Sequence, residues 1–255
     1  MRISTMKPVL YYKQELINIL GDCKNAYVLD YGCGNGDFID LLLHKTLPKT
    51  IFAVDSDQNM IANIQKNFTS AINQGIVIPK ISSNPIELKE HRFDKIICHN
   101  VLECVEDKLA FINSFKLLLN QKSTFILSHH DFDSAIYNST YKNLSRNLVH
   151  HFSDTQQEWQ KYSDGQMGRK ISGLIHRSVF QKYAKCETWR LVETEFIDGT
   201  YGFLMADMVL EIAKKYSDEF DSIALEAWKQ DLIEKNKTKD YYFAIDLNYS
   251  VCVSY

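Results

Sequence analysis

The sequence predicts an α/β fold, because two successive stretches each pass from an apolar strand through a polar loop into an amphipathic helix. The first, VLDYGCGNGDFIDLL from Val28 to Leu42, carries three glycines at alternate positions between strand and helix. The second, IFAVDSDQNM, is apolar from Ile51 to Val54, reaches Asp55, and enters a helix marked by Met60, Ile61, Ile64 and Phe68. Size is the third observation. A chain of 255 residues with 45% hydrophobic content can bury a large core, and one domain over 1–255 with an appended lid is expected in preference to two modest domains.

The first loop is read as a ligand cradle, since Gly32, Gly34 and Gly36 allow close approach to the backbone. Dinucleotide loops space their glycines G-x-G-x-x-G and rest a pyrophosphate on the following helix N-terminus. Here the spacing is G-x-G-x-G, and Asp37 stands where that phosphate would lie. With Asp30 before the first glycine, two acids border the cradle, which suits a ligand carrying a sulfonium and an ammonium. This strand, loop and helix resemble the first motif of the class I S-adenosylmethionine-dependent methyltransferases. The resemblance covers about Asn25 to Ser128 by motif and the remainder by layout. It implies a doubly wound, mostly parallel seven-stranded sheet with helices on both faces and the last strand antiparallel. It also implies S-adenosyl-L-methionine as cofactor, methyl transfer as activity, and Asp30, Gly32, Cys33, Gly34 and Gly36 as the cradle.

Asp55 ends the second strand about twenty residues past the loop, where folds of this kind place an acid on the ribose hydroxyls. The alternative is that Asp55 caps the next helix, with Asp57 as a competing cap. Ser56 and Met60 complete this edge of the cofactor set. Ile76 to Ile78 is the third strand; where the family commonly has an acid near the adenine, this chain offers Ser82 and Ser83. The fourth strand lies in FDKIICHNVLECVED, which resembles the motif that ends near the donor methyl, so Cys98 to Leu102, with His99, Asn100 and Val101, are expected to face the cofactor. Glu106 and Asp107 open a helix with Leu109, Ile112, Phe115 and Leu119 on its apolar face, and Tyr11 and Tyr12 lie on a helix before strand one.

Strand five is expected at Thr124 to Ser128. A helical lid insertion, about 131–170, is read after it, because Tyr137, Tyr141, Leu144, Leu148 and Phe152 recur at helical spacing. The turn Ser163 to Gly168 breaks it, and Ile171, Leu174, Ile175 and Val179 mark a returning helix, so the core comprises about 25–130 and 171–255. Trp189 to Phe196 is expected as strand six, Phe203 to Lys215 and Glu219 to Lys235 as helices, and Tyr249 to Tyr255 as the last strand.

An in-line methyl displacement chiefly needs an acceptor lone pair held near the methyl; a base helps only when the acceptor begins protonated. His130, His129 and His99 are the candidate bases, with His130 preferred over His129 and local structural roles the alternative for each. His150 and His151 are read as a solvated lid face. Neither histidine pair has a ligand signature, so no metal is assigned. Tyr11, Tyr12, Tyr137, Tyr141, Phe152 and Trp159 are either acceptor-pocket rings or core. The acceptor expected by analogy is an oxygen or nitrogen of a small, cyclic metabolite. Alternatives are a nucleic-acid or protein methyltransferase, a nicotinamide-dependent dehydrogenase, and a catalytically silent cofactor-binding subunit. A net charge of −3 without a Lys/Arg block argues against nucleic acid, and the fourth strand lacks an N-P-P-Y or D-P-P-Y motif. Six cysteines without a C-x-x-C pair, with no signal segment and no membrane-length apolar run, predict a cytoplasmic, non-membrane protein. Oligomeric state is not legible.

Overall fold

The computed structural model describes residues 11–155, 162, 165–216 and 218–253. Helix α1 (Tyr11–Leu20) precedes β1 (Tyr27–Tyr31), α2 (Asp37–Lys45), β2 (Thr50–Asp55), α3 (Gln58–Asn67), α4 (Thr69–Asn73) and β3 (Val77–Ile81). After these come β4 (Phe93–His99), α5 (Lys108–Ser114), β5 (Leu119–Tyr137), α6 (Lys142–Asp154) and α7 (Met167–Arg177). The chain continues through β6 (Ala184–Glu193), α8 (Tyr201–Lys214), α9 (Ser222–Lys237) and β7 (Phe243–Val253).

The strands form one seven-stranded sheet in the order β3-β2-β1-β4-β5-β7-β6, with β3, β2, β1, β4 and β5 paired in parallel. Strand β7 runs against both of its neighbours. Thr188 meets Asn248 while Arg190 meets Asp246, and Asp246 N–H donates to Ser134 while Asn138 N–H donates to the Tyr242 carbonyl, so partners advance in opposite directions. The doubly wound sheet with an antiparallel last strand is therefore the one anticipated. Strand order reverses between β1 and β4, and open α/β sheets bind ligands at such a switch point, beyond the carboxyl ends of the strands.

The chain divides into two compact units. One comprises the described residues of Tyr12–His129, Lys170–Glu187 and Tyr249–Tyr255, the other those of Met1–Tyr11, His130–Arg169 and Thr188–Asn248. In the first, β1 and β2 are apolar on both faces, and Val28, Leu29, Ile51, Ala53 and Val54 have no solvent exposure. From Tyr31 of β1, the rings of Phe111, Phe115, Phe125 and Phe180 form a chain of contacts, with Phe115 stacked on Phe125 at 4.6 Å. Helix α2 carries Asp37 and Asp40 in its first turn and His44 and Lys45 in its last, matching the helix dipole. Asp57 and Asp107 cap α3 and α5 by accepting from the Asn59 and Ala110 amides. In the second unit, Tyr137, Trp228 and Phe243 pack ring to ring under α8, whose Met205, Ala206 and Val209 are fully enclosed.

Three sequence expectations are corrected. Strand β5 continues through His129 and Asp131 to Tyr137, so Tyr137 is a core strand residue donating to the Gly202 carbonyl, and the insertion's helix begins at Lys142. Polar residues hid this extension, yet the strand buries them with partners: Asp131 accepts from Arg169, and Ser134 bridges to the Asp131 carbonyl. Strand β6 occupies Ala184–Glu193 instead of Trp189 to Phe196, because Phe196 packs on Phe203 and Tyr241 beyond the strand. Strand β7 begins at Phe243, where Ala244 and Ile245 are fully buried and the apolar run masks the period-two alternation read from Tyr249 onward. Trp159 and part of the Ser163 to Gly168 turn lie outside the described residues.

Candidate active site

The loop after β1 is pinned to β2 by its own backbone. Gly32 and Cys33 amides both donate to the Val54 carbonyl, at 2.7 and 2.9 Å, and Gly36 N–H closes a turn on the Cys33 carbonyl. Gly34 N–H donates to Asp55 Oδ2 at 2.9 Å, while Asp57 N–H donates to Asp55 Oδ1 at 3.0 Å. Asp55 is thus the loop's anchor, and Asp57, not Asp55, is the cap of α3. The three glycines divide their work. A Cβ at Gly32 would lie 2.2 Å from Val101 Cγ2, and one at Gly36 would lie 2.5 Å from the Phe68 ring, so both make room for protein. A Cβ at Gly34 would meet no heavy atom within 4 Å, so this glycine opens onto space where a ligand can lie on the backbone.

Charge around the loop is more balanced than two bordering acids would make it. Asp30 is 2% exposed, and its Oδ2 has no hydrogen-bond partner among the described residues. Burial pushes this carboxyl up to about 7; Lys13 opposes the rise, while Asp55 and Asp37 add to it. Asp37, read as the acid that would repel a phosphate, is paired with Lys13 of α1 at 2.5 Å. Lys13 lies 5.8 Å from the Tyr12 ring centroid and 5.4 Å from that of Phe38. An orphaned buried carboxyl oxygen, an open glycine and a carboxylate at the end of β2 together fit a nucleoside bearing a cationic amino-acid tail. The Cys33 thiol is buried and shifted upward by that burial and by Asp30, which disfavours the thiolate.

At the switch point β4 ends on His99, whose Nδ1 lies 2.9 Å from Ser128 Oγ and whose half-buried ring packs against Tyr12 and Phe38. Asn100 follows with φ +54°, and Val101 supplies the contact with Gly32. The structure therefore brings together Asp30, Gly32, Cys33, Gly34, Gly36, Asp55, His99, Asn100 and Val101 within one unit. Ser82 is buried and donates to the Asn84 carbonyl while its amide reaches the Asp55 carbonyl; Ser83 and Ser56 are exposed and Met60 is half-buried.

The adjacent histidines point apart, as strand alternation requires. His129 Nε2 lies 3.7 Å from Glu103 Oε2 in the first unit, whereas His130 stacks on Tyr201 at 4.5 Å in the second, and neither imidazole is exposed. In that second unit Arg169 binds Asp131 through two nitrogens and also reaches Asp133. Sequence reasoning missed Lys13, Glu103 and Arg169. Lys13 and Arg169 are long-range partners of acids, and neither spacing nor polarity marks them.

A family profile described as a methyltransferase domain matches residues 22–196. The chain belongs to this methyltransferase family. Membership makes it an S-adenosylmethionine-dependent methyltransferase of class I, the type its glycine loop resembles. No curated protein matches the methyltransferase in sequence. Among solved structures it is similar to a candidate methyltransferase from Bacillus halodurans C-125, with TM-score 0.59, 11% identity, and 94% of this chain and 98% of that one covered. It is also similar to phosphoethanolamine N-methyltransferase 2 of Haemonchus contortus in complex with phosphomonomethylethanolamine and S-adenosylhomocysteine, with TM-score 0.53 and 13% identity. That match covers 96% of this chain, which spans about half, 52%, of the Haemonchus enzyme. A third is coclaurine N-methyltransferase bound to N-methylheliamine and S-adenosylhomocysteine, with TM-score 0.52, 13% identity, and 98% and 75% covered. At these identities the likeness is one of fold. Among the described residues no helix is long and apolar enough to cross a membrane, and no group of three His, Cys, Asp or Glu side chains is placed to hold a metal.

Proposed function

We propose that this methyltransferase binds S-adenosylmethionine along the Gly32–Gly36 loop and transfers its methyl group to an oxygen or nitrogen of a small-molecule acceptor. The observation that carries the reading is the open side of Gly34, held by its own amide against the Asp55 carboxylate at 2.9 Å. When bound, the cofactor supplies a methyl group already activated on a sulfonium. Asp55 keeps lone pairs beyond the two it spends on backbone amides and is assigned to the ribose hydroxyls. Asp30 is assigned to the positive end of the donor, where a cation would satisfy its orphaned oxygen.

Of the three candidate histidines, His99 is the one at the end of β4 at the switch point, so we place the proton-accepting role on its Nε2, a buried nitrogen, with Ser128 holding the ring through Nδ1. His129 and His130, both fully buried, are assigned to packing, His129 beside Glu103 and His130 on Tyr201. The small-molecule reading is supported by the fold likeness to two enzymes crystallised with low-molecular-weight amines, and by the absence of a whole-chain basic excess. The two compact units are read together as a single methyltransferase domain, since β5, β6 and β7 run through both.

The test is incubation of the full chain with methyl-labelled donor and fractionated cell metabolites, followed by identification of the labelled product. A labelled small molecule is expected, and His99→Ala should lower its rate by roughly a hundredfold or more at neutral pH. Label appearing in none of the metabolite fractions, but in cell protein or nucleic acid when these are supplied instead, would overturn the acceptor assignment. An unchanged rate and pH profile for His99→Ala would remove the base.

A further inference from the structure

We propose that Lys13 fixes the α-carboxylate of the donor's methionine portion, so that Lys13 and Asp30 together read the amino-acid end of the donor as a zwitterion. The inference rests on the donor assignment above and adds to it a residue that the loop motif does not contain. Its starting point is a charge imbalance. Asp30, Asp37 and Asp55 all surround the loop, which suits a sulfonium and an ammonium but would repel the carboxylate that the same molecule carries. A cation is needed beside the acids, and Lys13 is there.

Three features make Lys13 a built group and not a surface tether. Its side chain is only 17% exposed, and its Nζ lies over the rings of Tyr12 and Phe38, so the ammonium itself is held in place by cation–π contacts. Its ammonium has three N–H donors and, among the described residues, one hydrogen-bond acceptor, Asp37. That acceptor is 43% exposed, and pairs of this kind contribute little to stability, which leaves the placement of a largely buried lysine unexplained by the fold alone. The second, independent observation is Asp30. Its Oδ2 is buried and orphaned at the end of β1, and the loop from Gly32 to Gly36 runs from there to the Asp37 that Lys13 binds, so the acid and the cation flank one loop. Asp37 also opens α2, where first-turn amides and the helix dipole favour an anion next to the Lys13 ammonium. An ammonium and a carboxylate separated by one carbon match the orphaned acid before the loop and the cation held at Asp37 just after it.

The experiment compares two donors by calorimetry: S-adenosylmethionine and its decarboxylated analogue, which keeps the sulfonium and the ammonium and lacks only the carboxylate. The unmodified chain is expected to bind the analogue more weakly by roughly tenfold to a hundredfold, the loss of one hydrogen bond between charged groups. Lys13→Met is expected to lose that discrimination, binding the complete donor about as weakly as the analogue, while its affinity for the analogue stays within about threefold of the unmodified chain. Retained analogue binding shows that the variant is folded, and Lys13→Arg should restore part of the discrimination. Full discrimination by Lys13→Met would overturn the proposal, and so would loss of both ligands by that variant alone, which would make Lys13 structural. If the unmodified chain binds neither compound, the donor assignment itself fails, and the inference fails with it.

Discussion

Asp30 links the site to the stability of the chain. Its folded value near 7 lies above the ordinary carboxylate range, chiefly because burial disfavours the charged form. Folding therefore favours the protonated carboxyl. The stabilisation this gives is complete below the ordinary carboxylate range and is lost as pH rises through about 7. Asp30→Asn, which cannot ionise, should unfold at a temperature that falls less between pH 5 and pH 8 than that of the unmodified chain; parallel pH profiles would remove Asp30 as the cause. The glycines make a second contrast. Gly36→Ala places a Cβ against Phe68 at φ +88° and should destabilise the fold, whereas Gly34→Ala at φ +50° meets open space. Gly34→Ala should therefore cost only about 1–2 kcal/mol of stability from the left-handed backbone while weakening donor binding. Thermal melts and calorimetry of the pair would show it, and equal effects of the two changes on binding would contradict the division of labour.

At the scale of elements, Asp55 and Asp57 stand two residues apart and serve different elements. Asp57→Ala removes the cap of α3 and should cost about 1 kcal/mol of stability with donor affinity unchanged. Asp55→Ala should weaken donor binding by about 1.5–3 kcal/mol, since the proposed ribose contact and the Gly34 anchor are lost together. Calorimetry on both variants separates them. This pair also shows what was readable in the chain. The acid at the end of an apolar strand, about twenty residues after a glycine loop, is a local signal, because strand, turn and helix follow within one βαβ stretch. Strand β5 was not readable in full. His129, His130, Asp131, Asp133 and Ser134 look like a polar loop, and long-range partners such as Glu103, Tyr201, Arg169 and Asp246 allow a sheet to enclose them. Lys13 was equally invisible: on α1 it reads as a solvated lysine, and its contact with Asp37 spans 24 positions.

At the scale of the molecule, the parallel order β3-β2-β1-β4-β5 sets the site, because it brings the loop after β1 and the loop after β4 to one switch point. Every residue assigned to the donor lies in the same compact unit, so donor binding should stabilise that unit directly. At a thioether-product concentration about a hundred times its dissociation constant, the gain is about 2.7 kcal/mol, which should raise the unfolding midpoint by several degrees. A melt unmoved by product would argue against a folded-state site. The most direct measurement is a crystal structure of the full chain grown with S-adenosylhomocysteine. The ribose hydroxyls should lie within hydrogen-bond distance of Asp55, with the amino-acid end passing over Gly34 between Asp30 and Lys13. Product bound away from the Gly32–Gly36 loop, or an empty loop at saturating product, would contradict the account.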